Sequence, residues 1–351
     1  MKPGLFAQDH NNSSRDYTDP EVWGKNQFNS SFPASLAAYM SWKGILPIYI
    51  KTDKQNKIVH DYISCTELYC IDPLADNAFY SFESGFPAYD KFYTGDREKI
   101  DLVMLNSDTN TSLIGLEIKL TTIPDNSTKN KTEDKYGCEI VVRPPTINFI
   151  ACSICNVFSG SAGKNKLKKL LGDIHINHWE EINEVLPRYP EIRDAIMRVS
   201  SDLHKKQTPL ILNAIWKTVQ GKPKLADDCL DVFVWSNLSV IQMFNRGEST
   251  KTINRPMRAM IWLYLMLFEY CVYNQFDYKR IVRLHSYNTG NDKAFALSGA
   301  QTYNFLKCSE LTHPRISKYD IKNIILGGGQ NLLSPERRFD AVIVNSPDLF
   351  D

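Results

Sequence analysis

Residues 100–120 read IDLVMLNSDTNTSLIGLEIKL, and this stretch decides the fold that the sequence predicts. Segments 100–105 and 113–120 are apolar and of strand length, whereas segment 106–112 is polar and rich in turn-forming residues. The stretch therefore predicts a β-hairpin with a seven-residue connection.

Three charged residues interrupt this apolar hairpin. Asp101 heads the first strand, and Glu117 and Lys119 share one face of the second because side chains alternate along a strand. A charge buried alone in such surroundings costs roughly several kcal/mol, so these three should contact each other, a metal or a ligand. Carboxylates are ligands that Mg²⁺ prefers, and an ammonium can orient a water and offset charge on a phosphate.

The pattern thus predicts Mg²⁺-dependent hydrolysis of a phosphodiester. Asp101, Glu117 and Lys119 are the candidate catalytic residues, with Asp101 and Glu117 as metal ligands. Glu83 precedes the hairpin and is a further candidate metal ligand, contributed from a helix.

A non-catalytic alternative stays open at this point, namely an edge hairpin with a salt bridge across it, worth at most about 1 kcal/mol if exposed. The spacing of an acid two residues before a lysine is common and occurs four times in the chain. The four copies are Glu117/Lys119, Glu133/Lys135, Asp277/Lys279 and Asp320/Lys322. Only the first belongs to a predicted hairpin whose opening strand is headed by an acid.

The rest of the chain predicts further strands and helices around the hairpin. Strands are expected at 45–51, 58–63, 138–143 and 341–344, and a strand that passes into a helix at 230–244. Helices are expected from Pro33 through Met40, over most of 164–220 and at 257–276. Segment 147–158 is expected to be buried, as either a helix or a strand. Residues 1–30 are expected to form a polar arm. This order predicts an α/β protein with a mixed central β-sheet flanked by helices, and with helical insertions.

Composition narrows the classes of protein. The chain has 351 residues, of which 43% are hydrophobic and 23% charged, as in an ordinary folded protein. Lys plus Arg number 41 and Asp plus Glu 40, so the net charge of +1 excludes a strongly basic, histone-like binder but not a nucleic-acid enzyme with a local basic surface. No secretion signal or membrane span is expected.

The cysteines predict neither a disulfide framework nor a zinc site. Eight cysteines in 351 residues are too sparse for a disulfide scaffold. The pair Cys152 and Cys155 lies in the apolar run NFIACSICNVF, which favours small buried thiols over metal ligands.

The hairpin resembles the catalytic core of the PD-(D/E)xK nuclease superfamily, although Ile100 stands where that pattern often has a proline. Residues 12–40, with WGKNQFNSSFP at 23–33, and residues 333–340, LSPERRFD, resemble the HindVP family of restriction enzymes. The resemblance implies a restriction-endonuclease-like core in which Asp101, Glu117 and Lys119 take the catalytic places.

The resemblance also implies partners and a reaction. It implies a homodimer that cuts both strands of double-stranded DNA at a short palindromic site with Mg²⁺. Members of the family are known for cutting the degenerate hexamer GRCGYC. This site is implied by the resemblance and does not follow from the residues of this chain. A cytoplasmic bacterial enzyme is expected, with a cognate DNA methyltransferase in the same system but no stable complex with it.

Residue types that contact DNA cluster in three segments. Arg pairs best with guanine and Asn or Gln with adenine, whereas Lys suits phosphate. The candidate DNA-binding residues are Lys25, Asn26, Gln27, Asn29, Lys164, Lys166, Gln330, Arg337 and Arg338. The two loops at 23–29 and 327–338 are also compatible with polar surface turns, and Lys164–Lys169 with a solvated helix face.

We expect one endonuclease domain over residues 1–351. Its hairpin core would lie at about 60–160, with the arm 1–60 and residues 160–351 serving recognition and dimerisation. Two other functions remain open, a PD-(D/E)xK nuclease of DNA repair or recombination and a non-catalytic DNA-binding protein with a decayed core. The complete set Asp101, Glu117 and Lys119 argues against the decayed core.

Overall fold

The computed structural model describes residues 34, 36–118, 139–214, 216–219, 222–225, 232–245, 247, 249–287, 295–298 and 316. The strands are β1 (Ile48–Thr52), β2 (Ile58–Tyr62), β3 (Ala78–Ser84), β4 (Ile100–Asn106), β5 (Thr111–Ile118), β6 (Glu139–Val142), β7 (Pro209–Ala214), β8 (Trp216–Val219), β9 (Lys222–Leu225), β10 (Val232–Ser236) and β11 (Phe295–Ser298). The helices are α1 (residues 36–43), α2 (Cys65–Tyr69), α3 (Pro87–Asp90), α4 (Pro144–Val157), α5 (Gly160–Leu171), α6 (Ile182–Leu203), α7 (Asn237–Phe244), α8 (Arg255–Tyr273) and α9 (Tyr278–Leu284).

Seven strands form one mixed sheet in the order β2-β1-β10-β7-β5-β4-β3. β1 runs parallel to β10 and β5 parallel to β7, whereas the other neighbours are antiparallel. β6 pairs with β11 and β8 with β9 in two small antiparallel ladders. The predicted α/β class with a mixed central sheet flanked by helices is confirmed. The hairpin β4–β5 lies inside this sheet and not at its edge.

The two faces of the sheet belong to two separate hydrophobic clusters. Val103, Ile211 and Trp235 lie in the larger cluster together with the buried residues of α4, α6 and α8. Leu102 and Leu116 lie in the smaller cluster with α1 and α2. Because successive side chains of a strand point to opposite faces, the alternation along β4 and β5 separates these clusters.

Two helices show how local sequence sets their ends. The side chain of Asn254 accepts a hydrogen bond from the backbone N–H of Met257 at the start of α8, and Asn274 ends that helix in the left-handed region with φ 66°. α8 is apolar nearly all round, which is typical of a helix buried among others and confirms the helix predicted at 257–276. Pro144 and Pro145 follow β6 and occupy the first turn of α4.

The structure corrects three expectations and settles an open one. Residues 147–158 lie in a helix, not a strand, apart from the cap residue Phe158. Within 164–220, expected to be mostly helical, β7 and β8 are strands. The error arose because β7 is a short apolar run, PLILNA, which periodicity alone does not separate from a buried helix. The hairpin connection comprises the four residues 107–110 and not seven, because polar residues extend both strands.

Glu83 lies in strand β3 and not in a helix, which corrects the third expectation. The predicted arm 1–30 and the predicted strand 341–344 lie outside the described residues. Across the part of the chain that the structure describes, we find no helix with the length and apolar character needed to cross a membrane.

Candidate active site

The hairpin β4–β5 is apolar along its middle, and another strand of the sheet pairs with it on each side. β3 pairs with β4, and β7 pairs with β5 through Glu117↔Ile211 and Ile118↔Leu212. The central residues of both strands are buried, including Leu102, Val103 and Leu116. Among the strands that the structure describes, β3 and not β4 is the edge strand on this side, so the placement of the hairpin at the edge of the sheet in the non-catalytic alternative is wrong.

Two half-buried carboxylates lie at one end of this hairpin. Beyond the pair Leu102–Leu116, the next residues are Asp101 in β4 and Glu117 in β5. Asp101 Oδ2 accepts a hydrogen bond from the backbone N–H of Ile118 at 2.7 Å. Hydrogen bonds to a charged acceptor are short and strong, so this contact fixes Asp101 against the residue that follows Glu117.

The sequence thus places Asp101 and Glu117 correctly at the same end of the hairpin, and the fold adds Glu83 to them. The two neighbours of Glu83 in β3 pair with the two neighbours of Asp101 in β4. The register therefore places Glu83 beside Asp101, although sequence reasoning expected it on a helix. Lys119 follows Ile118 and lies outside the described residues.

A glycine of β5 allows close packing just inside the site. Gly115 pairs with Val103, and a Cβ built on it would lie 3.1 Å from Ile100 Cδ1 and 3.3 Å from Phe86 Cγ. Ile100 and Phe86 are both buried. The missing side chain of Gly115 lets these two residues cover the hairpin next to Asp101.

The segment that leads into Asp101 is held by the turn between α8 and α9. The backbone N–H of Phe276 donates to the carbonyl of Phe92 at 3.0 Å, and the N–H of Thr94 donates to the carbonyl of Phe276 at 2.9 Å. These bonds join two parts of the chain that are far apart in sequence. They fix the path of residues 92–94 ahead of β4.

Side chains strengthen the same contact. The Tyr278 hydroxyl donates to Glu98, and Lys279 Nζ lies 3.2 Å from Asp96 and 3.3 Å from Glu98. Burial, together with the Glu98 carboxylate, raises the pKa of Tyr278. Sequence reasoning missed this contact. Its only local signal was the spacing of an acid two residues before a lysine at Asp277/Lys279. In the structure, the Asp277 side chain caps α9 by accepting a hydrogen bond from the backbone N–H of Arg280.

The structure describes only two of the candidate DNA-binding residues. Lys164 and Lys166 both lie on α5, but Lys164 Nζ donates to the side chain of Asn274, whereas Lys166 Nζ lies 2.7 Å from Asp202 Oδ1 on α6. The two cations thus contact different helices. The remaining candidates lie outside the described residues, namely Lys25, Asn26, Gln27, Asn29, Gln330, Arg337 and Arg338.

Within the part of the chain that the structure describes, no three or more His, Cys, Asp and Glu side chains lie together in a way that could hold a metal ion. Cys152 and Cys155 are fully buried in α4, burial raises the pKa of both thiols, and the Cys152 thiol donates to Asn148 Oδ1 at 3.7 Å. This environment is that of buried core thiols.

Comparison with known proteins identifies relatives along the full length of the chain. The model of the HindVP restriction endonuclease family matches residues 23–350. The chain is 41% identical over 356 residues to the type II restriction enzyme HgiDI of Herpetosiphon aurantiacus, covering 100% of this chain and 98% of that protein. It is 40% identical over 354 residues to the probable type II restriction enzyme HindVP of Haemophilus influenzae, covering 100% of this chain and 96% of that protein. No solved structure matches the chain.

Proposed function

The chain belongs to the HindVP restriction endonuclease family, and from this premise we propose that the end of hairpin β4–β5 at Asp101 and Glu117 is its active site. The chain is a type II restriction enzyme, that is, a site-specific deoxyribonuclease. We propose that it acts as a homodimer that cuts both strands of a short palindromic site, with GRCGYC as the first hexamer to test. A cognate methyltransferase would act separately in the same cytoplasmic restriction system.

One observation supports this site above the others. Asp101 is fixed by the 2.7 Å hydrogen bond from the backbone N–H of Ile118, immediately after Glu117. Two half-buried carboxylates therefore occupy one end of a hairpin whose interior is otherwise apolar. Two carboxylates held next to each other are the oxygen ligands that a hard cation takes, which favours a working site over a structural one.

The donor set fits Mg²⁺. That ion is bound in proteins by one or two carboxylates and keeps several waters, so Asp101 and Glu117 meet its needs and Glu83 is a third possible ligand. When bound, Mg²⁺ polarises the scissile phosphate and lowers the pKa of a bound water.

The residues of the chain take separate roles in this proposal. Asp101 and Glu117 would hold the cation, and the backbone N–H of Ile118 keeps the Asp101 carboxylate in place. Lys119 orients the attacking water and offsets negative charge that develops on the phosphate. The water oxygen bonds to phosphorus as one P–O ester bond breaks, the attacking water loses a proton and the leaving sugar oxygen takes one up from solvent, which cuts the strand into a phosphate end and a hydroxyl end.

We propose further that the chain is one endonuclease domain, with its hairpin core at about residues 60–160. The sheet supports this, because β1 precedes that range and β7 and β10 follow it, yet all three join the same sheet as the hairpin. The remaining parts of 1–60 and 160–351 would serve recognition and dimerisation.

Plasmid cleavage tests the proposed site. The purified protein is incubated with plasmid and Mg²⁺, then with EDTA, and Lys119→Ala is assayed in parallel. We expect discrete fragments only from the parent protein with Mg²⁺, and sequencing of the fragment ends gives the recognition site. Lys51→Ala is the matched control, because Lys51 belongs to the other hairpin of the sheet, where it pairs with Asp61.

Three results would contradict the proposal in different ways. Cleavage by Lys119→Ala at the parental rate would exclude the assigned site. Nicking or random degradation would favour a nuclease of repair or recombination. Binding of DNA without any cleavage would indicate a decayed core.

A further inference from the structure

Helix α5 presents its lysines on two different sides. Leu167 and Leu171 are fully buried and define the side that packs on the core. Lys166 is engaged by Asp202 of α6, at 2.7 Å. Lys164 is engaged instead by Asn274, the residue that ends α8. Residues four apart on a helix are neighbours, so Lys168 belongs with Lys164.

The electrostatics of a nearby thiol agree with this placement. Burial raises the pKa of Cys271 to about 11, and the positive charges of Lys168 and Lys164 act against that rise. The Cys271 thiol also donates to the carbonyl of Lys164 at 3.8 Å. Both ammonium groups therefore lie near the last turn of α8.

α8 ends on an exposed aromatic residue, one position before Asn274, the residue that Lys164 contacts. Tyr273 is 70% exposed, the highest fraction among the large hydrophobic side chains identified as exposed. Asn274 follows it in the left-handed conformation. A tyrosine and an asparagine are side chains that commonly donate hydrogen bonds to phosphate oxygens. Lys164, Lys168, Tyr273 and Asn274 are called the α5/α8 surface below.

Acidic side chains in the same part of the molecule are already engaged. Glu269 pairs with Arg280, and Asp277 caps α9. Asp96 and Glu98 pair with Lys279. These contacts offset the negative charge of the acids locally. The positive charge of the α5/α8 surface can therefore attract an approaching anion.

The α5/α8 surface is continuous with the segment that leads to the active site. Gln275 Nε2 donates to the carbonyl of Lys91 at 3.4 Å, and Phe276 forms backbone hydrogen bonds with Phe92 and Thr94. Thr94 lies seven residues before Asp101, a span of at most about 25 Å for an extended chain. Because duplex DNA rises about 3.4 Å per base pair, this upper limit on the distance from Thr94 to Asp101 corresponds to at most roughly seven base pairs.

We propose that the α5/α8 surface binds the phosphate backbone of the duplex that flanks the cleavage site. Lys164 and Lys168 supply the charge, and Tyr273 and Asn274 supply hydrogen bonds to phosphate or sugar. The contact carries no sequence information, so it adds affinity and orientation but not site preference. The inference rests on the proposed function, and it assigns the contact to Lys164 and Lys168 and not to Lys166.

The salt dependence of DNA binding tests the assignment. A 30-base-pair duplex of arbitrary sequence is titrated with the full-length protein in EDTA, which prevents cleavage, over a series of KCl concentrations. Each neutralised phosphate contributes about 0.9 to the slope of log K against log salt. We expect Lys164→Gln and Lys168→Gln each to lower the slope by about 0.9 and to weaken binding roughly 5–10-fold at 0.1 M salt.

Lys166→Gln is the matched variant, since it removes the same charge from the same helix on its other side. We expect it to leave the slope unchanged. Tyr273→Ala should weaken binding a few-fold without changing the slope, because it removes no charge. Thermal melting of each variant confirms that it is folded.

Two results would overturn the inference. The slope could stay unchanged in the Lys164→Gln and Lys168→Gln double variant, or Lys166→Gln could lower it as much as Lys164→Gln does. Plasmid cleavage by the same variants at low salt separates either of these results from a failure of the proposed function. A protein that cleaves DNA but shows no change in slope contradicts only the α5/α8 surface.

Discussion

The two ends of hairpin β4–β5 are held in different ways. At the turn end, the Asn106 side chain accepts hydrogen bonds from the backbone N–H groups of Asp108 at 3.0 Å and Thr109 at 3.3 Å. Asn110 closes the turn in the left-handed region with φ 48°, a conformation that asparagine tolerates. The turn residues 107–110 are exposed. Outside the hairpin, the turn is bonded to the residue before β3: the backbone N–H of Ser107 donates to the Asn77 carbonyl at 2.9 Å, and the Asn77 side chain donates to Asp108 Oδ2 at 2.8 Å.

At the site end, the contacts come from distant parts of the chain. Asp101 reaches across to Ile118, 17 residues away, and Phe92 is bonded to Phe276. Gly115 is covered by Ile100 and Phe86. The comparison indicates that the turn end is shaped by its own asparagines and bonded to the start of the neighbouring strand β3, whereas the geometry of the site depends on segments from several parts of the assembled fold. Substitutions at the two ends should therefore separate activity from stability.

The largest effect is expected for Asp101→Asn, which keeps the shape of the side chain but removes its charge. Cleavage should fall by about 10³-fold, equivalent to roughly 4 kcal/mol of transition-state stabilisation, because metal-assisted hydrolysis supplies several kcal/mol. The free energy of unfolding should fall by no more than about 1 kcal/mol, since the amide oxygen can still accept from Ile118. Cleavage rates and urea denaturation measure the two quantities, and parental activity would exclude Asp101 from the site.

A smaller effect, on stability and activity together, is expected for Gly115→Val. The added atoms must displace Ile100 or Phe86, and overpacking of this kind costs about 1–3 kcal/mol. Because these residues lie next to Asp101, cleavage should fall as well. Denaturation and cleavage assays test both.

Gly85→Ala is the matched control for that substitution. A Cβ at Gly85 has no heavy atom within 4 Å, so its free energy of unfolding should change by less than about 0.5 kcal/mol. Equal destabilisation by the two substitutions would show that close packing at Gly115 is unimportant.

The smallest effect is expected at the turn end, for Asn106→Ala. Loss of two exposed side-chain hydrogen bonds should lower the free energy of unfolding by about 0.5–1 kcal/mol and leave the cleavage rate unchanged. Asn106→Asp retains the acceptor and should restore stability. A loss of cleavage without a loss of stability in Asn106→Ala would show that the two ends of the hairpin are coupled.

Much of the fold was predictable where the signal was local. The sequence placed the strand-to-helix passage at 230–244 and the buried helix at 257–276 because a run of apolar residues is a property of neighbouring residues. It did not identify β7 as a strand, because a short apolar run fits both structures. It also did not identify the contact between Glu98 and Tyr278, because residues about 180 positions apart leave no local pattern.

The sequence by itself determined the hairpin and the placement of Asp101 and Glu117 at one end of it, since alternation along a strand and turn composition act over a few residues. Only the tertiary structure decided that the hairpin lies inside the sheet, that Glu83 lies beside Asp101, and that Lys164 and Lys166 contact different helices. Strand order and helix packing are set by contacts between distant segments. Such contacts depend on which apolar surfaces are buried together, and no single stretch of residues specifies that.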